Sequence, residues 1–331
     1  MNGRSKRIRQ WIITAIVALT IFGIGQLVEY IENRPEKQTI TVYAPSDMEE
    51  AFENALKESL LKKTHKLVMS DDPNSSICVA YGKQGDTSYQ KFAFSPFTVA
   101  YDSGSSYLKK LTKSGVCQPS AYNDDYYEID FLKIINEAVG EGKWDNLGIE
   151  KQDKIKVFYP AQGSVYWNDF HDFLLVTLND GRYPQDEAEM QKAEQTINRF
   201  VSSEYTYGVS DFQEQVKRTG GFPSTVIYIL PEKEARDFCV SDYTARFLFP
   251  KNTVYFNYYV KGDEAGKQII EAFDNSSIWR LEFYDMLSRK YYRTSKFSEL
   301  KEIGNAYGEG NIYNVVQIPE SIDFSTTTAS E

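Results

Sequence analysis

The sequence is poor in the residues on which most enzyme and metal sites depend. Its 331 residues include only two histidines and three cysteines. It contains no nucleophile elbow, zincin motif, phosphate-binding loop or dinucleotide fingerprint. His171 lies beside Asp169 on a predicted helix, but a solvated helix face explains this pattern more simply than a base or a metal ligand does. We therefore predict a protein that is not an enzyme and has no cofactor and no metal site.

The three cysteines also lack the pattern of a disulfide framework. Cys78, Cys117 and Cys239 are far apart and do not have the spacing of metal ligands. An odd number leaves at least one cysteine unpaired. One disulfide is compatible with this number, but isolated buried thiols are the favoured interpretation.

Basic residues are too few for a nucleic-acid-binding surface. The chain has 37 Lys and Arg against 47 Asp and Glu, a net charge of −10. Four of the basic residues and one acidic residue lie in residues 1–30, so the rest of the chain carries a net charge of −13. Nucleic-acid recognition needs a basic face, and we predict no nucleic-acid partner.

The only long hydrophobic run lies near the N-terminus. Residues 11–28 are almost entirely apolar, which is long enough to cross a bilayer, and four basic residues precede them. No small-x-small cleavage site follows. We predict a cytoplasmic basic stub at residues 1–10, a single-pass transmembrane signal anchor at 11–30 and a linker at 31–38. The bulk of the chain would then be extracytoplasmic, attached to the cell membrane through residues 11–30.

The stretch after the linker predicts a strand, a turn and a helix. Residues 39–43 are β-branched or aromatic, and apolar side chains then recur every four residues from Met48 to Leu60. Ser46 precedes Glu49 by three residues, which is the spacing of a capping box. In an open α/β sheet, such strand ends and helix N-termini bind small ligands. An ordinary capped helix remains the alternative.

Four segments together carry a family resemblance. One begins at Lys143 and reads KWDNLGIEKQDKIKVFYPAQGSVYWNDFHDFLL. It is similar to the segment of type 2 periplasmic (extracellular) solute-binding proteins in which a Trp-x-x-Leu turn precedes a strand, a proline and a serine-bearing loop that opens a helix. Ser95–Gly104 resembles the strand by which that family crosses between its lobes, and Gly220–Ala235 and Phe247–Val260 resemble its returning strands. The order and spacing of these segments fit over roughly residues 39–315.

The resemblance implies an α/β fold of the two-lobed type 2 periplasmic-binding-protein kind, with an N-terminal transmembrane helix added. The first lobe would comprise residues 39–104 and, after the return, 247–320, and the second lobe residues 105–246. Residues 321–331 are predicted to be a disordered tail. Pro96 cannot donate to a strand ladder, so Phe92–Tyr101 is predicted as two strand pieces joined by Ser95-Pro96, at an edge or a crossing rather than in a central strand.

Six side chains are predicted to line the cleft between the lobes. Ser164 follows a strand end and is predicted to cap a helix from the second lobe, as Ser46 does from the first. Ser95 lies at the crossing and Thr253 at the return. Tyr43 and Tyr166 are predicted walls, with core packing as the alternative for each aromatic ring. The predicted ligand-binding residues are Ser46, Ser95, Ser164, Thr253, Tyr43 and Tyr166.

The sequence is compatible with two functions. The first is a membrane-anchored extracytoplasmic solute-binding protein that holds a small polar or anionic ligand in the interlobe cleft for a membrane transporter or sensor. The anion preference would follow from two helix N-termini and the hydroxyl groups around them. The alternative is a degenerate binding fold that serves as a cell-surface protein-interaction or assembly module. Such a module would have a cleft filled by its own side chains.

Overall fold

The structure is a computed structural model of the chain. It describes residues 36–58, 60–81, 88–120, 127–140, 144–149, 155–221, 226–241, 244–275, 283–284, 286–287, 289–290, 292–293 and 314–315. The predicted basic stub, signal anchor and tail lie outside the described residues, as do the first five residues of the predicted linker. Within the described residues, no helix is both long enough and apolar enough for a membrane span.

The described residues form thirteen strands and eight α-helices. The strands are β1 (Gln38–Tyr43), β2 (His65–Met69), β3 (Ile77–Tyr81), β4 (Gln90–Asp102), β5 (Cys117–Pro119), β6 (Tyr127–Ile129), β7 (Lys156–Pro160), β8 (Thr206–Val209), β9 (Val226–Pro231), β10 (Ala245–Pro250), β11 (Asn252–Thr253), β12 (Tyr255–Gly262) and β13 (Asn314–Val315). The helices are α1 (Glu49–Glu58), α2 (Tyr107–Lys113), α3 (Phe131–Val139), α4 (Trp167–Leu178), α5 (Glu187–Val201), α6 (Phe212–Thr219), α7 (Glu232–Ser241) and α8 (Glu264–Asn275). A short 3-10 turn, Ser46–Met48, precedes α1. The fold is therefore mixed α/β, and it contains the strand, turn and helix predicted for its first stretch.

Strand pairing divides the main sheet into two halves that share β4. The first sheet half has the strand order β2-β1-β3-β12-β4, with β12 antiparallel to both neighbours. The second sheet half has the order β8-β7-β9-β4-β10-β6-β5. Residues 90–96 of β4 pair with β12, whereas residues 97–101 pair with β9. The chain thus leaves the first half along β4 and comes back through β10, β11 and β12.

The pairing registers make the carboxyl ends of the two halves face each other. In the first half, β1 and β3 run parallel, and β3 has the same direction as β4 because both are antiparallel to β12. In the second half, β7 and β9 are parallel to each other and antiparallel to β4. Pro231, at the end of β9, pairs with Phe97. The ends of β1, β3, β7 and β9 therefore converge on the place where β4 changes partner, which we call the junction.

One prediction about β4 is corrected by its pairing. The stretch predicted as two strand pieces is a single strand that continues through Pro96. Pro96 is the last residue paired with β12, and Phe97 is the first paired with β9. Proline has no N–H to donate, but here it lies where β4 changes its neighbouring strand, so few hydrogen bonds between strands are lost.

A hydrophobic cluster contains buried residues from both sheet halves. In the second half, the buried ring of Phe170 on α4 lies 5.9 Å from Phe97 and 5.6 Å from Tyr159, measured between ring centroids. In the first half, Phe52 of α1 packs edge-on against Phe283 at 5.0 Å. Such aromatic pairs add to the free energy gained by burying their area. The chain has 24 Tyr and 20 Phe, and many of them lie in this core.

None of the three cysteines forms a disulfide. Cys78 and Cys117 are buried, and Cys239 is half-buried. Burial raises the pKa of the Cys117 thiol to about 12, so it stays protonated and unreactive. The prediction of isolated buried thiols is confirmed for Cys78 and Cys117, whereas Cys239 is only half-buried.

Candidate functional site

Charged side chains from both sheet halves meet at the junction. The turn after β1 contributes Asp47, and the first turns of α7, which follows β9 directly, contribute Lys233, Glu234 and Asp237. Tyr292 lies against the same group. We call these five residues the junction cluster. Because strand ends and helix starts converge here, the cluster occupies the edge at which α/β sheets bind ligands.

The ammonium group of Lys233 lies at the centre of the junction cluster. Its Nζ is 2.6 Å from Asp47 Oδ2, 2.8 Å from Asp237 Oδ2 and 3.9 Å from Glu234 Oε1. The residue is only 8 % exposed. Burial lowers the pKa of Lys233, but the carboxylates of Glu234, Asp47 and Asp237 more than offset this and raise it above its ordinary value. The side chain is therefore a buried cation that bridges the two halves.

Two tyrosine hydroxyls donate into the same carboxylates. Tyr166, at the start of α4, donates to Glu234 Oε1 at 3.1 Å. Tyr292 donates to Asp47 Oδ1 at 2.9 Å and to Oδ2 at 3.1 Å. Burial raises the pKa of both hydroxyls, and the neighbouring carboxylates raise it further. Both tyrosines therefore stay protonated donors.

A second ion pair supports the first residue of α7. Glu232 is 1 % exposed and accepts from Arg293 Nε at 2.5 Å and from Arg236 Nε at 2.8 Å. Burial alone would raise the pKa of Glu232, but the guanidinium groups of Arg293 and Arg236 outweigh burial and lower it. The backbone of Arg293 also exchanges two hydrogen bonds with Phe94 of β4, at 2.9 and 3.0 Å. Arg293 is thereby held against the crossing strand.

Aromatic rings from both halves pack beside the cluster. The ring of Tyr166, from the second half, is 4.7 Å from Phe256 on β12. Tyr81, at the end of β3, is 6.1 Å from Phe256 and 5.7 Å from Tyr258. Burial raises the pKa of Tyr81 to about 12, with further contributions from Asp47 and Tyr43. The junction is thus filled by the protein's own side chains.

Three cavities in the described part of the chain lie away from the junction cluster. The first is beside Phe52 and Tyr284, the second beside Asp130 and Asn252, and the third, an open groove of about 230 Å³, lies beside α1 and the edge strand β2. None of them is lined by a member of the junction cluster.

Two of the predicted site residues do not cap helices. The N-cap position before the turn that leads into α1 is Pro45, and Ser46 itself is exposed without a side-chain cap hydrogen bond. At α4 the N-cap residue is Tyr166, and the Oγ of Ser164 is buried without a hydrogen-bond partner among the described residues. The predicted caps from the two halves are therefore wrong. An N-cap side chain bonds the first turn from extended backbone, whereas Tyr166 has helical φ and ψ of −88° and −11°.

The other four predicted residues lie in three different places. Ser95 and Tyr166 contact the junction cluster directly, since the Oγ of Ser95 accepts a hydrogen bond from the backbone N–H of Lys233 at 2.9 Å. Thr253 is fully buried and donates to the carbonyl of Phe97 at 3.1 Å, a structural bond within the crossing region. Tyr43 is half-buried at the end of β1.

The charged members of the site were not predicted from the sequence. Asp47 directly follows Ser46, and the run PEKEARD after β9 repeats the strand-to-helix pattern that singled out the first stretch. Its Glu232–Arg236 and Lys233–Asp237 pairs have the i, i+4 spacing of helical ion pairs. The same reasoning applied to this second strand end would have found α7.

We expect the substitution Ser95→Ala to lower the free energy of unfolding by about 1–3 kcal/mol. The first N–H groups of a helix have no partner inside it, and Ser95 supplies one from β4 to the first turn of α7. Urea unfolding at pH 7 measures the loss. Ser241→Ala, at the exposed last residue of α7, is the matched control and should change stability by no more than about 0.5 kcal/mol. Equal effects would show that the Ser95 bond is not important for α7.

The fold is shared with solved substrate-binding proteins. No protein-family model matches the chain, and no curated protein sequence matches it either. The sulfate-binding protein SubI from Mycobacterium tuberculosis H37Rv superposes with a TM-score of 0.52 at 12% identity, covering 84% of this chain and 93% of that one. The spermidine/putrescine ABC transporter substrate-binding protein PotD from Streptococcus pneumoniae gives 0.50 at 9% identity, covering 88% and 95%. With β4 and the β10–β12 return joining two sheet halves, the chain has the fold of the type 2 periplasmic (extracellular) solute-binding proteins.

Proposed function

We propose that the chain is an extracytoplasmic solute-binding protein that holds a small polar ligand at the junction. The observation that carries this proposal is the convergence of polar groups from both sheet halves: Asp47 from the first, and Lys233, Glu234 and Tyr166 from the second. Small-molecule sites combine apolar walls with a few oriented polar groups, and the rings around the cluster supply such walls. The two solved proteins of the same fold are described as sulfate-binding and as substrate-binding, which supports the class.

The two strand passages support a hinge at the junction. Only β4 and the return through β10 to β12 join the halves within the main sheet of the described chain, so a bend in these strands would move the halves apart. Such a bend would separate Asp47 from Lys233 and admit solvent to the cluster. The lobes that move would be residues 39–104 with 247–320, and residues 105–246. Closure of two domains around a ligand is a common mode of binding.

The proposal includes the membrane. We propose that residues 11–30 anchor the chain, with the N-terminus in the cytoplasm and the two lobes outside the membrane, because basic residues precede the apolar run. A transporter or a sensor in the same membrane would be the partner that receives the ligand. The description of PotD as part of an ABC transporter supports the transporter.

A thermal-shift panel tests this function. The purified full chain is heated with representatives of four classes: primary amines, oxyanions, sugars and amino acids. A ligand that binds only the folded state at 100 times its dissociation constant stabilises it by about 2.7 kcal/mol, which raises the melting temperature by several degrees. We expect one class to do so and Asp47→Asn to abolish the rise. A panel in which no class raises the melting temperature would contradict solute binding.

A second function is favoured by the filled junction. Lys233 and the packed rings of Tyr166 and Phe256 occupy the space between the halves, as expected of a degenerate fold that serves as a surface interaction or assembly module. The reactivity of the Lys233 amine separates the two functions. A hinged binding protein opens without ligand, so an acylating reagent should modify Lys233 at a rate similar to that of the exposed Lys57. In an assembly module the junction stays closed, and Lys233 should stay unmodified.

A further inference from the structure

The junction cluster is built around an ammonium group. Three carboxylates lie within 3.9 Å of Lys233 Nζ, one from the first sheet half and two from α7. The same nitrogen lies 5.5 Å from the centroid of the Tyr292 ring. Carboxylates and an aromatic face are the groups that hold alkylammonium ions in proteins. The occupant here is the end of a flexible four-carbon side chain.

We infer that the ligand of the junction carries a primary alkylammonium group, which takes the place of the Lys233 ammonium between Asp47 and Asp237. This inference rests on the proposed function and names its ligand class. Lys233 is then a tethered competitor that leaves the cluster when the halves open. The neighbouring rings of Tyr166 and Tyr81 would contact the carbon chain of the ligand.

The charges around the site favour a cation over an anion. Asp47, Glu234 and Asp237 surround the Lys233 ammonium, and the nearby Lys290 is paired with Glu50, so displacing the Lys233 ammonium leaves three carboxylates for a cationic ligand. The two nearby guanidinium groups, of Arg236 and Arg293, are already held by Glu232. Burial raises the pKa of the Tyr166 and Tyr292 hydroxyls, and the negative charge of the same carboxylates raises it further.

The basis of an anion site is weaker in the structure than in the sequence. The anion expectation rested on two serine-capped helix N-termini, but neither Ser46 nor Ser164 makes a cap hydrogen bond. The first turn preceding α1 presents the carboxylate of Asp47 to the junction instead. An anion placed there would meet like charge.

Truncating the competitor provides the test. Lys233→Ala removes three methylene groups and the ammonium, the same atoms that n-propylammonium supplies. A group tethered by a short flexible link competes at an effective concentration of about 1 mM or more. We expect n-propylammonium chloride to raise the melting temperature of full-length Lys233→Ala saturably, at a midpoint concentration at least tenfold lower than for the wild-type chain. Lys57→Ala, which removes an exposed lysine paired with Glu53, is the matched control and should behave like wild type.

Matched salts separate specific binding from ionic strength. Tetramethylammonium chloride carries the same charge without N–H donors, and sodium sulfate supplies an oxyanion. Neither should stabilise Lys233→Ala as n-propylammonium does. A folded Lys233→Ala variant that n-propylammonium stabilises no more than tetramethylammonium would overturn the inference. If the variant does not fold, the wild-type chain and Asp47→Asn are titrated with n-propylammonium by calorimetry. We expect binding heat for the wild-type chain and none for Asp47→Asn. No difference between the two would also overturn the inference.

The experiments distinguish a wrong ligand class from a wrong function. If sugars or oxyanions raise the melting temperature of the wild-type chain while amines do not, the junction binds solutes but the ligand class is wrong. If no class in the panel has an effect on wild type and n-propylammonium has none on Lys233→Ala, both proposals are wrong.

Discussion

Replacing Glu232 by glutamine should lower the free energy of unfolding at pH 7 by about 3–5 kcal/mol. The side chain keeps its shape, but the carboxylate that binds Arg236 and Arg293 loses its charge in a site where Glu232 is 1 % exposed. Removing one partner of a buried ion pair is costly because the remaining charge stays desolvated. Urea unfolding with intrinsic fluorescence measures the change.

The exposed ion pair on α6 is the matched control. Glu214 and Arg218 are also i, i+4 partners, at 2.5 Å, but more than half of each side chain is exposed. Glu214→Gln should cost at most about 1 kcal/mol, because water screens the pair. Equal losses for the two variants would show that burial does not decide the strength of these pairs.

The pH dependence gives the Glu232 prediction a second readout. The pKa of Glu232 is lowered in the folded state, so its contribution is fully present above the ordinary glutamate value of about 4.3. That contribution is lost as the pH falls through the lower folded value. The stability difference between wild type and Glu232→Gln should therefore stay constant from pH 7 to about pH 5 and shrink below pH 4. A difference that already shrinks between pH 7 and pH 6 would contradict the lowered pKa.

Local signals in the sequence predicted the first strand and helix, and the family resemblance predicted the fold. The β-branched stretch at residues 39–43 and the four-residue spacing of apolar side chains predicted β1 and α1, and both are present. The resemblance of Ser95–Gly104 to a crossing strand agrees with β4, which pairs with both sheet halves. These predictions succeeded because periodicity and the order of segments are properties of neighbouring residues.

The site could not be predicted in the same way, because its contacts are distant in the chain. Asp47 meets Lys233, and Tyr292 joins them from the far end of the described residues. Nothing near Asp47 in the sequence indicates a lysine partner. Charge pairs of this kind follow from the topology, which brings four strand ends to one place, and they become visible only once strand order is known.

Helix capping shows where a local rule failed. The serines before α1 and α4 do not cap those helices, whereas two aspartates cap other helices: Asp186, before α5, accepts from Glu189 N at 2.7 Å, and Asp211, before α6, accepts from Glu214 N at 2.9 Å. Both aspartates have extended backbone, with φ near −140° and −134°. A cap therefore depends on the backbone conformation with which the chain enters the helix, and residue type alone does not fix it.

Glu232 and Lys233, at the start of α7, differ in which of their contacts cross the junction. Glu232 is held by Arg236 from its own helix and by Arg293, whose backbone also bonds that of β4. Lys233 points to Asp47 in the other half, so its contacts cross the junction. Opening the junction would break the contact of Lys233 with Asp47 and that of Glu232 with Arg293, whose backbone bonds Phe94 in the first half, but leave the contact of Glu232 with Arg236. We therefore expect both residues to stabilise the closed state, and of these three contacts only the Glu232–Arg236 pair to persist in the open state.

Replacing Lys233 by methionine should lower the free energy of unfolding at pH 7 by about 3–5 kcal/mol, and the loss should shrink in acid. Methionine fills the space, but Asp47, Glu234 and Asp237 lose their shared cation. Burial already raises the pKa of Glu234 and Asp237, and Lys233 opposes that rise. Without the lysine, both pKa values rise further.

A carboxyl group whose pKa is raised by folding binds protons more strongly in the folded state, so the folded state gains stability as the pH falls. Urea unfolding of Lys233→Met should therefore show higher stability at pH 5 than at pH 7, relative to the wild-type chain at the same pH. Lys57→Met, which breaks only the exposed pair with Glu53, should show neither the loss nor the recovery. A loss for Lys233→Met that is constant between pH 7 and pH 5 would mean that the carboxylates do not depend on the lysine for their charge. The junction cluster would then be a packed interface, and the case for an ammonium ligand would fail with it.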